Sequence, residues 1–430
     1  MRTLDEDGTR RRVHLAEPLG LRDFRLLWAG MSVSLLGDGL FLVALAWQVY
    51  DLSGSPAAMS LVGVAMSVPQ VVLLLAGGVL SDRADRRLLM VASDLLRAAV
   101  LAAVGALAVT GALEVPHLYV AAALYGGAAA FFGPAFDATV PSLVPERLLV
   151  QANALDQLVR PFALGIAGPA LGGVVIGSLG TGTAFLLDAA SFLVCALCIA
   201  RLRTRPPVEA GEGSAWEALR GGLSYVRSHV WLWATFVAAT FSYLLFLGPT
   251  EVLLPYLVKE EMGLSAHALG LVLASGGLGA LLAAAVVGQC GLPRRFVTLT
   301  YVAWALATLA VAGYGLATST WQLAVACALV NGLEAVGTVA WAVTKQRFVP
   351  PHLLGRVSSL DWFVSLALVP LSYALAAPAA ALLGARTTLV VAGVLGAAVT
   401  AAFLLLPGMR APERGAVAPA GEPAPVPVAA

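Results

Sequence analysis

The chain has 430 residues, of which 12% are charged and 59% hydrophobic, with a formal net charge of +1. The charged share is about half that of a soluble domain, and mean hydropathy is +0.86. A water-soluble globule of this length would expose large apolar patches, so the bilayer is the expected solvent, and the near-neutral total gives no footprint for nucleic acid.

The first twenty residues, MRTLDEDGTRRRVHLAEPLG, are polar and mixed in charge. They lack the basic start and apolar core of a signal peptide, so the first span is expected to direct insertion. Twelve runs then reach the ~20 apolar residues a spanning helix needs. They are 24–50, 56–80, 88–112, 117–140, 152–178, 182–202, 231–257, 265–289, 296–317, 320–343, 357–381 and 386–407, numbered here as spans 1 to 12. The runs are continuous rather than alternating, which predicts helices and not a barrel.

Arginine sets the orientation. The tails and even-numbered connections hold Arg10 to Arg12, Arg22, Arg25, Arg83, Arg86, Arg87, Arg147, Arg201, Arg203, Arg205, Arg220, Arg227, Arg294, Arg295, Lys345, Arg347, Arg356, Arg410 and Arg414. The other side has Lys259 and Arg386. The positive-inside rule places both termini in the cytoplasm.

The chain repeats itself. LVPERLLVQANALDQ (Leu143–Gln157) matches FVPPHLLGRVSSLDW (Phe348–Trp362) at an offset of 205 residues. The same offset carries span 1 onto span 7. The expectation is an all-α integral membrane protein of two six-helix bundles in parallel repeat. Residues 1–20 form a cytoplasmic tail, 21–203 the first bundle and 231–407 the second. Residues 204–230 form a Pro/Gly-rich linker ending in an amphipathic surface helix, Ser214 to His229. An Ala/Pro-rich, disordered tail is expected over 408–430.

Enzyme chemistry finds little support. Cys195 and Cys198 spell CxxC inside the apolar run SFLVCALCIA, with no metal-site spacing around them. The five histidines form no HxxxH or HExxH. There is no GxxxxGK[ST] loop, and the only lysines are Lys259 and Lys345. No metal and no cofactor are expected.

Within the charge-free surroundings of span 2, GGVLSDRADRR (Gly77–Arg87) packs five charges into its last six residues. Two parallel six-helix halves with this knot resemble the major facilitator superfamily, whose loop signature is roughly G-x-L-x-D-R-x-G-R-[KR]. Gly78, Leu80, Asp82, Arg83, Arg86 and Arg87 fall in register, and Asp85 stands where the general pattern has Gly. The form DRxDRR resembles the branch of drug and siderophore exporters that includes macrolide efflux pumps and the enterobactin exporter. GPALGG in span 5 (Gly168, Pro169, Gly172, Gly173) is similar to the GPxxGG antiporter motif, with Leu164 where that motif has an upstream Gly.

The resemblance implies alternating access by rocking bundles. It also implies a breakable cytoplasmic latch, with Asp82 near the start of helix 11 and Arg83 and Arg86 facing Asp137. The plainer reading is that these arginines only enforce topology. GPALGG likewise reads either as an antiporter element or as close helix packing.

Ionisable residues deep in lipid are functional candidates by default. Asp38, mid-span in LLGDGLF, is the first choice for the proton-carrying carboxyl. Glu334, Asp188, Glu251, Asn331 and Gln70 are the other candidates for the substrate cavity. Glu334 lies three residues after Asn331, on nearly the same face. Asp156 and Asp361, equivalent under the offset, read as first-turn helix acids. Asp94–Arg97 and Asp156–Arg160 read as interfacial ion pairs.

Deep cations are nearly absent in this reading, which favours neutral or cationic amphiphiles over anionic cargo. Trp47, Tyr125, Phe131, Phe132, Tyr243, Trp304 and Trp341 are candidate wall residues. The expected function is proton-coupled efflux of a small lipophilic compound by a monomer. Its expected setting is the inner (plasma) membrane of a bacterium, with membrane lipid, protons and substrate as partners. A siderophore exporter, a lysophospholipid flippase or a small-molecule importer would share the fold. A non-transporting sensor is the remote alternative.

Overall fold

The structure is a computed structural model that describes residues 2–4, 10–12, 16–203 and 215–416. In the N-terminal tail, Arg2–Leu4 pairs antiparallel with Arg10–Arg12. The spans themselves are helical. The chain divides into two compact units. The first holds residues 1–52, 65–211 and 265–270, and the second holds 53–64, 212–264 and 271–430.

Among the described residues, eleven helices are long and apolar enough to cross a bilayer. One of them, Gln151–Ala200, has 50 residues, about 75 Å of helix against a hydrocarbon core of about 30 Å. It cannot be one pass, and it is not straight. Gly180 sits at φ 81°, ψ 167° inside it. Contacts with span 1 (Arg22–Ser53) trace the reversal. Gly168 packs on Gly39 and Gly172 on Leu40. Thr181 then bonds Gln48, farther along span 1. Beyond it Asp188 meets Gly37, and Cys195 and Cys198 meet Gly30. The chain thus climbs along span 1, turns at Gly180 and returns, so spans 5 and 6 are two passes and the described residues hold twelve.

The second unit turns the same way. Gly384, at φ 82° and ψ 152°, separates span 11 (Leu353–Leu383) from span 12 (Ala385–Leu404). That region of backbone space is essentially closed to residues with a Cβ. Gly180→Ala and Gly384→Ala are each expected to lower stability by about 1–3 kcal/mol. The check is the melting midpoint of detergent-purified variants.

Most helices outrun their apolar stretches. Span 4 runs Val115–Leu143, span 7 Val230–Glu261 and span 10 Thr320–Phe348. Hydropathy registers only the part in hydrocarbon, while the hydrogen-bonded helix continues into water. Two spans carry wide turns at prolines, which lack the N–H for the i−4 carbonyl. These π-helical turns are Pro161–Ala167 in span 5 and Pro249–Leu253 in span 7. The outer faces are apolar, with Leu382 84% and Leu316 70% exposed, as suits helices whose solvent is lipid.

Each unit has an apolar core. In the first, Phe24, Leu27, Met31, Met90, Phe136 and Ile199 cluster. In the second, Trp231 and Trp341 meet edge to face at 5.9 Å, and Phe296 stacks on Phe348 at 5.6 Å. The linker helix spans Ala215–Ser228. Its Tyr225 hydroxyl donates to the Phe348 carbonyl at 3.1 Å. Burial raises this phenol above its ordinary pKa, which keeps it a donor.

The C-terminal tail departs from expectation. Disorder was expected from residue 408, yet Met409 is fully buried in the second core. Glu413 accepts from the Thr298 N–H at 2.5 Å and its hydroxyl at 3.0 Å. A buried methionine and a carboxylate at a helix start hold this stretch despite its composition. Residues 417–430 lie outside the described residues.

Candidate functional site

Span 1 carries Asp38 into the interior of the first unit, where the Tyr125 hydroxyl of span 4 donates to its Oδ1. Around this pair lie Arg97 and Asp94 of span 3 and Asp188 of span 6, all at most 5% exposed. Arg97 Nη2 bonds Asp94 Oδ1 at 2.5 Å. Its guanidinium stacks 4.1 Å from the Phe192 ring and 4.9 Å from Phe132, and it lies in electrostatic range of Asp38. Asp188 Oδ1 accepts from the Ser191 hydroxyl at 2.9 Å. Asp94 Oδ2, Asp188 Oδ2 and Arg97 Nε have no hydrogen-bond partner.

Three carboxyls therefore share one arginine. The next cation, Arg160, is committed to Asp156 at 2.8 Å. With all three acids ionised, two negative charges would remain unbalanced in a medium where that is expensive. Protons, or a bound cation, can supply the balance.

GPALGG braces this cluster. A Cβ on Gly168 would stand 2.6 Å from Gly39 Cα and 2.8 Å from the Leu36 carbonyl oxygen. A Cβ on Gly172 would stand 3.2 Å from Leu40 Cα. Gly173 faces the 266–270 segment of the same unit, with Ala266 O at 2.9 Å, and Pro169 is buried. Spans 1 and 5 thus touch backbone to backbone, and they do so beside Asp38. Gly168→Val is expected to lower stability by about 1–3 kcal/mol, as overpacking does. Its check is the fraction of monodisperse protein surviving a heat step. Leu164 meets Gly39 through its carbonyl, so the absent upstream glycine is not missed at this contact.

The charged loop is partly described. Asp85 is the N-cap of span 3 (Arg86–Val109), accepting from the N–H groups of Arg87 at 2.9 Å and Leu88 at 3.4 Å. That explains an Asp where the general signature has Gly. Arg87 donates to the carbonyls of Leu202, at 2.9 Å, and Ala200, so a cation sits at the C-terminal end of span 6. The side chains of Gly78, Asp82 and Arg83 lie outside the described residues, as does any latch through them. Arg86, the first residue of span 3, is half-buried. Asp137 is exposed and lines a small cavity with Asp156 and Asn153.

In the second unit, Glu334 lines a narrow apolar cleft of about 60 Å³, with Tyr243, Phe246, Trp304, Ser242 and Thr308. Its Oε1 accepts from Thr338 at 2.8 Å. Asn331 is elsewhere. Its amide bonds the Cys327 carbonyl of its own helix at 2.9 Å and packs at Gly276. The expected shared face of Asn331 and Glu334 is therefore not a shared site. Glu251 is exposed and accepts from the Tyr373 hydroxyl. Gln70 is exposed.

Three readings of the charges need correction. Asp94–Arg97 is not interfacial. Arg97 lies eleven residues into span 3, about 17 Å along it, near mid-membrane. Asp156 and Asp361 are not first-turn acids. They are the eighth residue of Leu149–Arg160 and the eleventh of Pro351–Leu366. Asp361 is held by Lys345 Nζ at 2.6 Å and the Trp341 indole N–H at 2.8 Å. A deep cation is thus present, Arg97, and a second buried cation, Lys345, lies in the last turn of span 10, but each already has a carboxylate. The arithmetic of depth would have found Arg97 in the sequence. Its partner Tyr125 left no such signal beyond its aromatic character.

Among the described residues, twelve apolar passes in two repeats, with ionisable groups buried inside, are the architecture of a membrane transport protein. Residues 14–425 match the family of transmembrane secretion effectors, a branch of the major facilitator superfamily. Macrolide efflux protein A of Streptococcus pyogenes is 23% identical over 86% of this chain and 93% of its own length. The multidrug efflux pump Tap of Mycolicibacterium fortuitum is 29% identical over 86% and 91%. Among solved structures, the nucleoside transporter NupG superposes with a TM-score of 0.67 at 10% identity, over 89% of this chain and 98% of that one. A bacterial homologue of the lysosomal transporter Spinster gives 0.59 at 14%, over 89% and 94%. At such identities the structures speak to the fold alone. The chain belongs to the major facilitator superfamily of transporters.

Proposed function

We propose that this protein exports a small lipophilic neutral or cationic compound in exchange for protons, as a monomer of the bacterial inner membrane with both termini in the cytoplasm. The observation that carries the reading is the Asp38 cluster, three carboxyls on one arginine. Closed from water, it tolerates few net charges; opened to water, it can release a proton. Asp38, half-buried where Asp94 and Asp188 are fully buried, is the member placed to exchange it. A proton crossing about 100 mV gains roughly 2.3 kcal/mol, which supports accumulation against a gradient.

The cargo class rests on Glu334. A carboxyl in an apolar, aromatic-walled cleft suits an amphiphile with a cationic group. An anionic cargo would want a free deep cation, and the buried cations Arg97 and Lys345 are each paired. Relatives named as macrolide and multidrug efflux pumps lend support to the same class. Glu251, Asn331 and Gln70 are secondary in this scheme. In this proposal the loop from Gly78 to Arg87 serves as the latch together with Asp137, and GPALGG holds span 5 against span 1.

Everted vesicles with an imposed proton gradient test this reading. Lipophilic cations and macrolides are expected to dissipate the gradient on addition, and siderophores to leave it intact. A gradient that no compound disturbs would sink proton antiport. Dissipation by siderophores alone would sink the cargo class.

A further inference from the structure

A second cavity opens at the end of spans 8 to 10, where the C-terminal tail turns back. It has a volume of about 710 Å³, within the range of ligand sites. One wall is apolar, made of Val287, Val339 and Val343. Val343 is 41% exposed, and Val286, next to this wall, is 59% exposed, so the wall continues onto surface that faces lipid. The other end carries Arg294 and Arg347, both exposed. Among the described residues neither arginine is in an ion pair.

The acid at this cavity is Glu413, and its carboxylate is engaged by Thr298 through both oxygens. Among the described residues it forms no ion pair with either arginine, and two cations against one acid leave the cavity net positive. The neighbouring Lys345 is neutralised by Asp361. The cavity thus joins two cations without ion-pair partners, one of them 5.5 Å from the Phe348 ring, to an apolar wall at the membrane edge, which is the shape of an anionic amphiphile.

The geometry points to a binding site for one anionic phospholipid, with its phosphate at Arg294 and Arg347 and an acyl chain along Val287, Val339 and Val343. Basic pockets between spanning helices recognise such headgroups, at about tenfold or less in affinity per cation. A free phosphate would use the arginines and leave the apolar wall bare. A zwitterionic lipid would bring its own cation to two others. The site does not depend on proton coupling or on the cargo.

Native mass spectrometry of the purified full-length protein in neutral detergent tests this site. The probes are dioleoyl phosphatidylglycerol, dioleoyl phosphatidylcholine and sn-glycerol 3-phosphate. One phosphatidylglycerol is expected to be retained, with phosphatidylcholine at least tenfold weaker and glycerol phosphate unable to compete at equal concentration. Arg294→Gln with Arg347→Gln should weaken phosphatidylglycerol binding about 10- to 30-fold. Val343→Trp, which fills the wall and spares the charges, should weaken it too, and Arg227→Gln, an exposed control, should not. Wild-type affinity in the double variant or in Val343→Trp overturns the proposal, as does equal binding of phosphatidylcholine or competition by glycerol phosphate.

Discussion

Asp38→Asn is expected to reduce substrate-driven proton movement in everted vesicles by at least ~100-fold, the usual scale for losing a proton-transfer group. The fold should survive. Asn has the size of Asp, and its carbonyl can still accept from the Tyr125 hydroxyl that now bonds Asp38. Removing a negative charge also eases a cluster that has more acids than Arg97 can balance. Loss of stability therefore cannot explain loss of flux, and melting at or above the wild-type midpoint is the internal control. What the variant lacks is the exchangeable proton. Asp188 is the competing carrier, because it belongs to the same cluster and its Oδ2 has no hydrogen-bond partner among the described residues. Near-normal flux in Asp38→Asn, with loss in Asp188→Asn, would move the carrier to span 6 and end the case for Asp38.

The passes were legible because they depend on length and hydropathy, which need no knowledge of neighbours. Even the turn between spans 5 and 6 was readable. The polar TGT after Gly180 interrupts the apolar run at the kink. Helix faces were not readable. Asn331 and Glu334 are three residues apart, about 60° around the helix. That angle is enough to turn one to Gly276 and the other into the aromatic cleft. Polar partners were harder still. Asp361 finds Lys345 sixteen residues back, on the preceding span, while its repeat mate Asp156 finds Arg160 one turn ahead. The repeat predicts equivalent acids but not equivalent partners, because position 365 is Ser where 160 is Arg. The tail was misread for a related reason. Composition reports average order, whereas Met409 and Glu413 each act at one place.

Arg97→Gln is expected to be the most destabilising single change in the first unit. Breaking a buried ion pair by removing one partner costs about 3–5 kcal/mol. Here the loss strands Asp94 and also strips Asp38 and Asp188 of their shared counter-charge. For a unit of about two hundred residues that corresponds to a midpoint lower by on the order of 10 °C. Arg97→Lys should recover part of the loss. It restores a cation but not the flat guanidinium that lies 4.1 Å from the Phe192 ring. Asp94→Asn added to Arg97→Gln should recover more than half, since it removes the carboxylate stranded at closest range. The double-mutant cycle then isolates the pair from the rest of the cluster. Midpoints of the four proteins, measured by heating in detergent and counting the monodisperse fraction, give that coupling. A single variant melting within about a degree of wild type would mean that Arg97 reaches water by another route, so that three acids do not depend on one cation. A large loss with strong rescue by Asp94→Asn would mean that the cluster is held near neutrality, the condition under which one proton gained or lost at Asp38 changes the balance of the whole unit.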